Sequence, residues 1–466
     1  LAFSFRHALI HDVTYESILR KDRRDLHGRV GDAIVSHHGE RPEDAPILAR
    51  HYEQAGDNDK ALHYLLAAGE AAGARHAMPE SHHFYRRALD LLAADSSASV
   101  ERRIDVALST AAAGMRFIPG GETVAALEAV RQEAEGLGDP DLLARVYALS
   151  LRVRAMLEES YADPGFRDIM DRAYALAPQV HQPELRAYLE GMMGQALRSA
   201  DEFARAVELV GGSVAPLEAA GRVGEAGFNA ALTADVEASR GRFSEADQWI
   251  ERGGELGAAR GNPNVIADVE LMKGRIAAAR GELQTALEHT RLGTETAEGA
   301  GNVECTLVGN FLIADQYLRS GEAAAAIPHL ERTFELGEFC NAEAMVGLGR
   351  AWLATAKARL GDLDPAGFSA PLEMAQAGGS RSGEAAVRLQ RAIAVAGGPE
   401  PDWAQAVEDF ERAIALFGEI GARPDQARAI HAYANALKAT GRDDESATQL
   451  TAATNMFDSM GIVPDG

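Results

Sequence analysis

Histidine is the residue type in this sequence best suited to metal chemistry, and it is concentrated towards the N-terminus. His7 and His11 lie four residues apart, so on a helix they would share one face and could bind a metal ion. No Glu follows His7, as one does in the zinc-protease motif, and we interpret both residues as packing residues. A composite site of His37, His51 and His63 remains an alternative. Our first prediction is that the chain has no metal site.

Cysteine and carboxylate residues show no arrangement typical of catalysis. Cys305 and Cys340 are too few for a disulfide framework and have no His neighbour in sequence, so we interpret them as small buried residues. Adjacent acids such as Glu158-Glu159 and Asp443-Asp444 are expected on the surface of a chain with 70 acidic residues. We therefore predict no catalytic residue.

Nucleotide chemistry would require a phosphate-binding loop. Such a loop ends in Gly-Lys-Ser or Gly-Lys-Thr, and no Gly-Lys pair occurs in the 466 residues. We expect no cofactor and no enzyme activity from this chain.

The charge of the chain limits the classes of partner. A formal net charge of −24 argues against nucleic acid, because phosphate binding needs clustered cations. One basic cluster is interleaved with Asp22 and Asp25 and is interpreted as a solvated helix face: Arg20, Lys21, Arg23, Arg24 and Arg29. No apolar stretch approaches the ~18 residues of a membrane span. We expect a cytoplasmic protein without nucleic-acid or membrane partners.

The spacing of glycine indicates the secondary-structure elements of the chain. In the second half of the chain it recurs on a 20-residue spacing, at positions 221, 241, 261, 281, 301, 321, 361, 421, 441 and 461. Glycine commonly ends helices because it adopts the left-handed conformation without a Cβ penalty. The spacing therefore predicts helices joined by Gly turns and paired into antiparallel hairpins of 40 residues.

Small residues repeat in the same 40-residue frame, on both sides of the turn inside each hairpin. The first set is Gly194, Ala234, Gly274, Ala314, Ala354, Ala394 and Ala434, and the second is Ala206, Ala246, Ala286, Ala326, Ala366, Ala406 and Ser446. These positions predict where paired helices approach most closely. A single hairpin cannot bury its apolar face, so neighbours must stack on it. We predict an all-α fold, a right-handed superhelical array of antiparallel helical hairpins.

Three segments are predicted along the chain. Residues 1–95 form an N-terminal helical segment that includes a first hairpin, and residues 96–180 form irregular hairpins. Residues 181–466 form the regular array of 40-residue repeats. Within the irregular segment, helices are expected at 99–113, 122–136, 140–158 and 164–177.

The pattern of small residues and turns resembles the tetratricopeptide repeat. The first hairpin carries that motif's spacings at Leu48, Ala49, Tyr52, Gly56, Ala61, Leu65 and Ala68. Later frames depart from the motif in length, with 40 residues instead of 34. The resemblance implies a tetratricopeptide-like α-solenoid that binds ligands on its concave face.

The N-terminal string resembles the segment that follows the nucleotide-binding module in signal-transduction ATPases with numerous domains, the STAND class. It reads Phe3-Ser4-Phe5-Arg6-His7-Ala8-Leu9-Ile10 and continues through Arg23-Arg24 to Ala49-Arg50-His51-Tyr52-Glu53-Gln54-Ala55-Gly56-Asp57. Many such proteins carry a class III adenylate or guanylate cyclase or a DNA-binding domain. The resemblance covers about residues 1–95 and implies an ATPase module upstream of this segment.

The 40-residue frame predicts a row of binding residues on the concave face. The residue after each small position in the first helix is Asp235, Arg275, Asp315 and Thr355, and one turn further lie Ser239, Ala279, Arg319 and Arg359. The row alternates in charge, which fits either a polar groove for a peptide or partner helix, or ion pairs between neighbouring repeats.

Three functions follow from these interpretations. The leading one is a sensor or scaffold segment of a larger bacterial signalling regulator, binding a protein or peptide partner or a small effector. The alternatives are a stand-alone interaction scaffold and an enzyme with a site inside the helical array.

Overall fold

The computed structural model describes residues 15–75, 77–115, 118, 120–156, 162–340, 342–398 and 400–462. His7, His11 and the N-terminal string before residue 15 lie outside the described residues, as do Glu158 and Glu159. The chain divides into two compact units, Leu1–Gly114 and Met115–Gly466. The division into segments at 95 and 180 stays a prediction.

The first unit contains five α-helices among its described residues: α1 Arg20–His38, α2 Ala45–Ala55, α3 Asn58–Ala74, α4 Met78–Ala94 and α5 Val100–Gly114. The positions that carry the tetratricopeptide spacing form its core, since Leu48, Ala49 and Leu65 are fully buried and pack with Tyr52 and Ala68. The hairpin of α2 and α3 therefore has the packing expected from the motif.

The second unit begins with α6 Gly120–Leu137, α7 Pro140–Met156 and α8 Pro164–Leu176, close to the expected helices. The hairpins that follow are α9 Pro183–Ser199 with α10 Phe203–Ala219, α11 Val223–Ser239 with α12 Phe243–Arg260, α13 Pro263–Arg280 with α14 Leu283–Gly299, α15 Val303–Arg319 with α16 Ala323–Cys340, α17 Glu343–Arg359 with α18 Ser369–Ala377, α19 Arg381–Ala396 with α20 Trp403–Ile420, and α21 Arg423–Ala439 with α22 Asp443–Met460.

The fold is an all-α, right-handed superhelical array of antiparallel hairpins, a tetratricopeptide-like α-solenoid, as predicted. No strand occurs in the described part of the chain. None of the helices in these ranges is both long enough and apolar enough to cross a membrane.

Glycine ends the helices on the predicted spacing. At the end of α13, Gly281 has φ 84° and its amide donates to the carbonyl of Ala278 at 3.1 Å. The next amide, of Glu282, donates to the carbonyl of Ala277 at 3.0 Å. This pair of bonds reverses the chain. All ten glycines of the 20-residue series have positive φ.

The paired helices approach closely at the predicted small residues. A Cβ on Gly194 would lie 2.8 Å from the backbone nitrogen of Val210 in the facing helix. Ala206, Ala246, Ala286, Ala326 and Ala406 are fully buried. The prediction for Ala366 is wrong: it is exposed, because Pro365–Phe368 forms a 3-10 turn ahead of the short α18. Phe368 is buried instead.

The last hairpin of the second unit packs back onto an earlier part of the array. Phe457 and Met460 of α22 share a buried cluster with Ala238 and Phe243 of the second hairpin. Arg428 of α21 donates to the carbonyl of Ala279 in α13 at 2.5 Å. The solenoid of this unit therefore closes on itself around an interior cavity.

Candidate ligand-binding cavity

The closed solenoid surrounds a cavity of about 710 Å³. Its walls come mainly from the first helix of each hairpin, α9, α11, α13, α15, α17, α19 and α21. These helices face inwards because the second helix of each hairpin covers their outer side. The volume falls within the range of about 300–1,000 Å³ typical of small-molecule sites.

Seven of the eight residues of the predicted row line this cavity: Asp235, Ser239, Arg275, Ala279, Asp315, Arg319 and Arg359. Thr355 does not, since its side chain is fully buried and its hydroxyl donates to the carbonyl of Ala351 at 3.0 Å. One turn earlier in α17, the larger Trp352 lines the cavity. Whether these residues bind a ligand stays a prediction.

Part of the charged row is paired within the protein, as the alternative interpretation expected. The buried carboxylate of Asp235 accepts hydrogen bonds from Arg275 Nε at 2.6 Å and from Arg198 Nε at 3.3 Å. Burial alone would raise the pKa of Asp235, but Arg275 and Arg198 outweigh it and hold that pKa below its ordinary value. This triad joins three successive hairpins.

Two arginines converge on the C-terminal end of α13. Arg319 Nη2 donates to the carbonyl of Ala278 at 2.7 Å, and Arg428 Nη2 donates to the same oxygen at 3.1 Å. The carbonyls of a last helical turn carry partial negative charge, which favours guanidinium groups there. Arg359 binds the end of α15 in the same way, through the carbonyl of Leu318. The C-terminal ends of these helices thereby position cations at the cavity wall.

Asp425, in the first turn of α21, is exposed, and the surface it is exposed to is the cavity. Desolvation by the surrounding walls raises the pKa of Asp425 above its ordinary value, although Arg428 and Arg319 oppose the shift. A carboxyl group with a raised pKa gains a proton more readily, and the cavity then becomes more positive.

Apolar and aromatic side chains adjoin the charged groups. The rings of Phe311 and Trp352 lie 5.3 Å apart between centroids, and Trp352 Nε1 donates to Asp315 Oδ1 at 2.7 Å. Asp315 in turn lies 4.0 Å from Arg319. Leu389 and Ile393 of α19 add to the apolar wall. A ligand in the cavity would therefore meet guanidinium groups and aromatic rings side by side.

Gln316 has an unsatisfied acceptor at the cavity wall. Its Nε2 donates to Thr290 Oγ1 at 2.9 Å, while its buried Oε1 has no hydrogen-bond partner among the described residues. Burying a carbonyl oxygen without a donor is unfavourable, so such atoms usually meet a partner. This oxygen has almost no accessible surface, so a ligand in the cavity would reach it only after a change of the Gln316 rotamer.

Sequence reasoning missed the wall contributed by the last hairpin. Extending the row of Asp235 and Arg275 through the 40-residue frame reaches Asn435, which lines the cavity. Arg428 and Asp425 lie earlier on the same helix and line it too. The frame could therefore have found α21, but only the closed structure brings it opposite α13.

The cysteine and histidine predictions have separate outcomes. Cys305 is buried, as predicted, and its Sγ lies 2.9 Å from Asp268 Oδ1. The predicted alternative of a His37, His51 and His63 site is not formed, because His51 Nδ1 lies 2.8 Å from His27 Nδ1 and His63 packs edge-on against Tyr64. Among the described residues, no group of three or more His, Cys, Asp and Glu side chains could hold a metal ion.

Fold and cavity together define the second unit as a tetratricopeptide-like solenoid with an internal pocket. No family model matches the chain. A 91-residue stretch, 19% of the chain, is 40% identical to the uncharacterized protein R02095 of Rhizobium meliloti (strain 1021) and spans 9% of that protein's length.

The chain is similar to several solved structures at low sequence identity. A Rap protein complexed with Competence and Sporulation Factor superposes with a TM-score of 0.58 and 14% identity, over 77% of this chain and 99% of that one. The apo form of the quorum sensor NprR from B. thuringiensis has a TM-score of 0.47 and 12% sequence identity, over 77% of this chain and 99% of that one. The STAND protein PH0952 from Pyrococcus horikoshii, which has a tetratricopeptide repeat sensor, has a TM-score of 0.44 and 11% sequence identity, over 98% of this chain and 66% of that one.

Proposed function

We propose that this chain is the sensor segment of a larger bacterial signal-transduction regulator, and that its effector or a partner peptide binds in the cavity of the second unit. The observation that supports this most directly is the cavity itself, about 710 Å³ with arginines beside aromatic rings. The solved structure of Rap with Competence and Sporulation Factor supports a binding role for this fold.

Closure of the solenoid gives a physical route from binding to signalling. The cavity wall includes α13 and α21, which belong to hairpins far apart in sequence and meet at Arg428 and Ala279. A ligand that contacts both helices stabilises the closed form over any more open one. A change in the population of closed solenoid is then the signal delivered to the rest of the regulator.

Trp352 offers a local reporter of occupancy. It lines the cavity, whereas Trp249 and Trp403 do not. In a Trp249→Phe/Trp403→Phe variant, pools of peptides and small metabolites should include members that change Trp352 emission and raise the unfolding temperature. Filling the cavity with Ala279→Phe should abolish both responses. Ligands that bind this filled variant as tightly as the parent would contradict the proposal.

The regulatory context has its own test. The gene that encodes this chain should carry an ATPase module upstream in the same reading frame, and its output, a cyclase or a DNA-binding domain, should respond to the ligand found with Trp352. A reading frame without such a module would favour the stand-alone scaffold.

A further inference from the structure

We infer that the ligand of the cavity is an amphipathic anion, whose charged group binds Arg319 and Arg428 and whose apolar body lies against Phe311 and Trp352. This inference rests on the proposed function, since it specifies the chemistry of the molecule that the sensor detects. It is carried by the convergence of side chains from α15, α17 and α21 on one part of the cavity.

The two arginines form a preorganised cationic site. Because both donate to the carbonyl oxygen of Ala278, at 2.7 and 3.1 Å, their donor nitrogens lie within roughly 6 Å of each other. Like charges at that distance repel, and Asp315, 4.0 Å from Arg319, offsets only part of this repulsion. An anion between the two guanidinium groups would relieve more of it. Guanidinium groups held in place lose little entropy on binding and match carboxylate, sulfonate or phosphate oxygens.

The charge of the wall contrasts with that of the chain. Among the described residues that line the cavity, five are arginines (Arg198, Arg275, Arg319, Arg359 and Arg428) and four are aspartates (Asp201, Asp235, Asp315 and Asp425). Asp235 is engaged by Arg198 and Arg275, and Asp201 accepts the backbone amide of Ser382 at 3.0 Å. The wall therefore carries one more positive than negative side chain in a protein of net charge −24, and this balance favours an anion over a cation.

The apolar part of the ligand would lie directly beside the two arginines. The indole of Trp352 is fixed by its bond to Asp315, and Asp315 lies 4.0 Å from Arg319. The tilted Phe311 ring extends the same surface.

A matched pair of fluorescent probes tests the inference. The compound 8-anilinonaphthalene-1-sulfonate carries an anion, an N–H group and two ring systems, and N-phenyl-1-naphthylamine is the same molecule without the sulfonate. In the full chain with Trp352 as the remaining tryptophan, the sulfonate should bind at one site, with energy transfer from Trp352. It should bind at least tenfold more tightly than the neutral analogue.

Three variants and one control locate the site. Arg319→Gln and Arg428→Gln should each weaken binding of the sulfonate about tenfold. The control is Arg442→Gln, which changes an exposed arginine that does not line the cavity and should leave binding unchanged. Asp425→Asn should tighten binding severalfold, because it removes a negative charge from the cavity. A misfolded protein would not bind the sulfonate more tightly. The gain expected for Asp425→Asn therefore keeps the test valid even if one of the arginine variants is unstable.

Competition then identifies the natural source of the anion. Decanoate represents a small organic acid, and acetyl-Leu-Phe-Glu-Leu-amide represents a peptide, with acetyl-Leu-Phe-Gln-Leu-amide as its neutral match. Displacement of the sulfonate by decanoate, or by the Glu peptide but not the Gln peptide, supports the inference and assigns the source.

Equal binding of the charged and neutral probes, or unchanged binding in both arginine variants, overturns the inference. If the neutral probe still quenches Trp352, the cavity remains a ligand site and the proposed function survives. If neither probe binds in the cavity, the proposed function fails as well.

Discussion

Arg319 and Arg428 share one acceptor, the carbonyl oxygen of Ala278, although they belong to helices α15 and α21. Arg319 reaches it from the neighbouring hairpin, whereas Arg428 reaches it across the closure of the solenoid. The charged part of the cavity and the closed form of the array therefore depend on the same three residues.

Closure should depend on the apolar contact of α22. Met460 is buried against the second hairpin, and a side chain on Gly241 would collide with its sulfur. Met460→Ala should destabilise this contact by about 2–3 kcal/mol. Hydrogen exchange measured by mass spectrometry should then accelerate in α21, α22 and the end of α11. Leu450→Ala, at an exposed position of the same helix, should have no such effect. Equal protection in both variants would show that closure does not rest on Met460.

The triad around Asp235 should be costly to break. Asp235→Ala leaves Arg198 and Arg275 without their shared carboxylate, and we expect a loss of roughly 3 kcal/mol in the free energy of unfolding. The matched change Asp247→Ala removes an exposed partner of Arg280 and should cost at most about 1 kcal/mol. Urea denaturation followed by circular dichroism measures both, and similar losses for the two variants would contradict the assignment.

Acid should act on the same triad. Because the pKa of Asp235 is lower in the folded protein than its ordinary value of 3.8, its contribution to stability is complete above pH 3.8. That contribution is lost as the pH falls through the lowered value. Asp235→Asn should therefore show a flatter loss of stability below pH 3.8 than the parent, in thermal unfolding recorded at a series of pH values. Parallel profiles would be the contrary result.

The histidine contact in the first unit predicts a second pH effect. Burial lowers the pKa of His27, helped by Arg50, and burial lowers that of His51, helped by His27. Both rings are thus favoured neutral in the folded state, and the contact loses stability as the pH falls below 6.5. Hydrogen exchange in α1 and α2, corrected for the intrinsic rate, should rise between pH 7.5 and 5.5. His51→Gln should reduce this dependence, and His37→Gln, at an exposed position, should preserve it.

The small residues between paired helices should not tolerate enlargement. Gly194→Ala would place a Cβ 2.8 Å from the backbone nitrogen of Val210, so the helices must separate, at a cost of about 1–3 kcal/mol. Gly254→Ala is the matched control, since nothing lies within 4 Å of its Cβ. That substitution should raise stability by about 0.5–1 kcal/mol through helix propensity. A lower unfolding temperature for Gly194→Ala and a higher one for Gly254→Ala is the expected result.

The sequence predicted the repeated features of the hairpins but not the closure of the solenoid. Gly281 and the equivalent turns, and the contact of Gly194 with the facing helix, follow from local spacing and helix geometry, so the frame predicted them. The frame also selected Asp235, Arg275 and Arg319 for the cavity wall. It could not predict that Arg428 meets Ala278, because that contact depends on the rotation accumulated over all the intervening hairpins. Where Pro365 interrupts the frame, the predicted role of Ala366 failed.

The bond between Arg428 and the end of α13 also has a mechanical consequence. An open solenoid extends like a spring, and a pulling force spreads over all its hairpins. In a closed one, force applied to the ends is borne first by the seam where α21 and α22 meet α11 to α13. Such an array releases in one step when the seam breaks, and afterwards lengthens gradually. A molecule bound across the seam would raise the force needed for that first step.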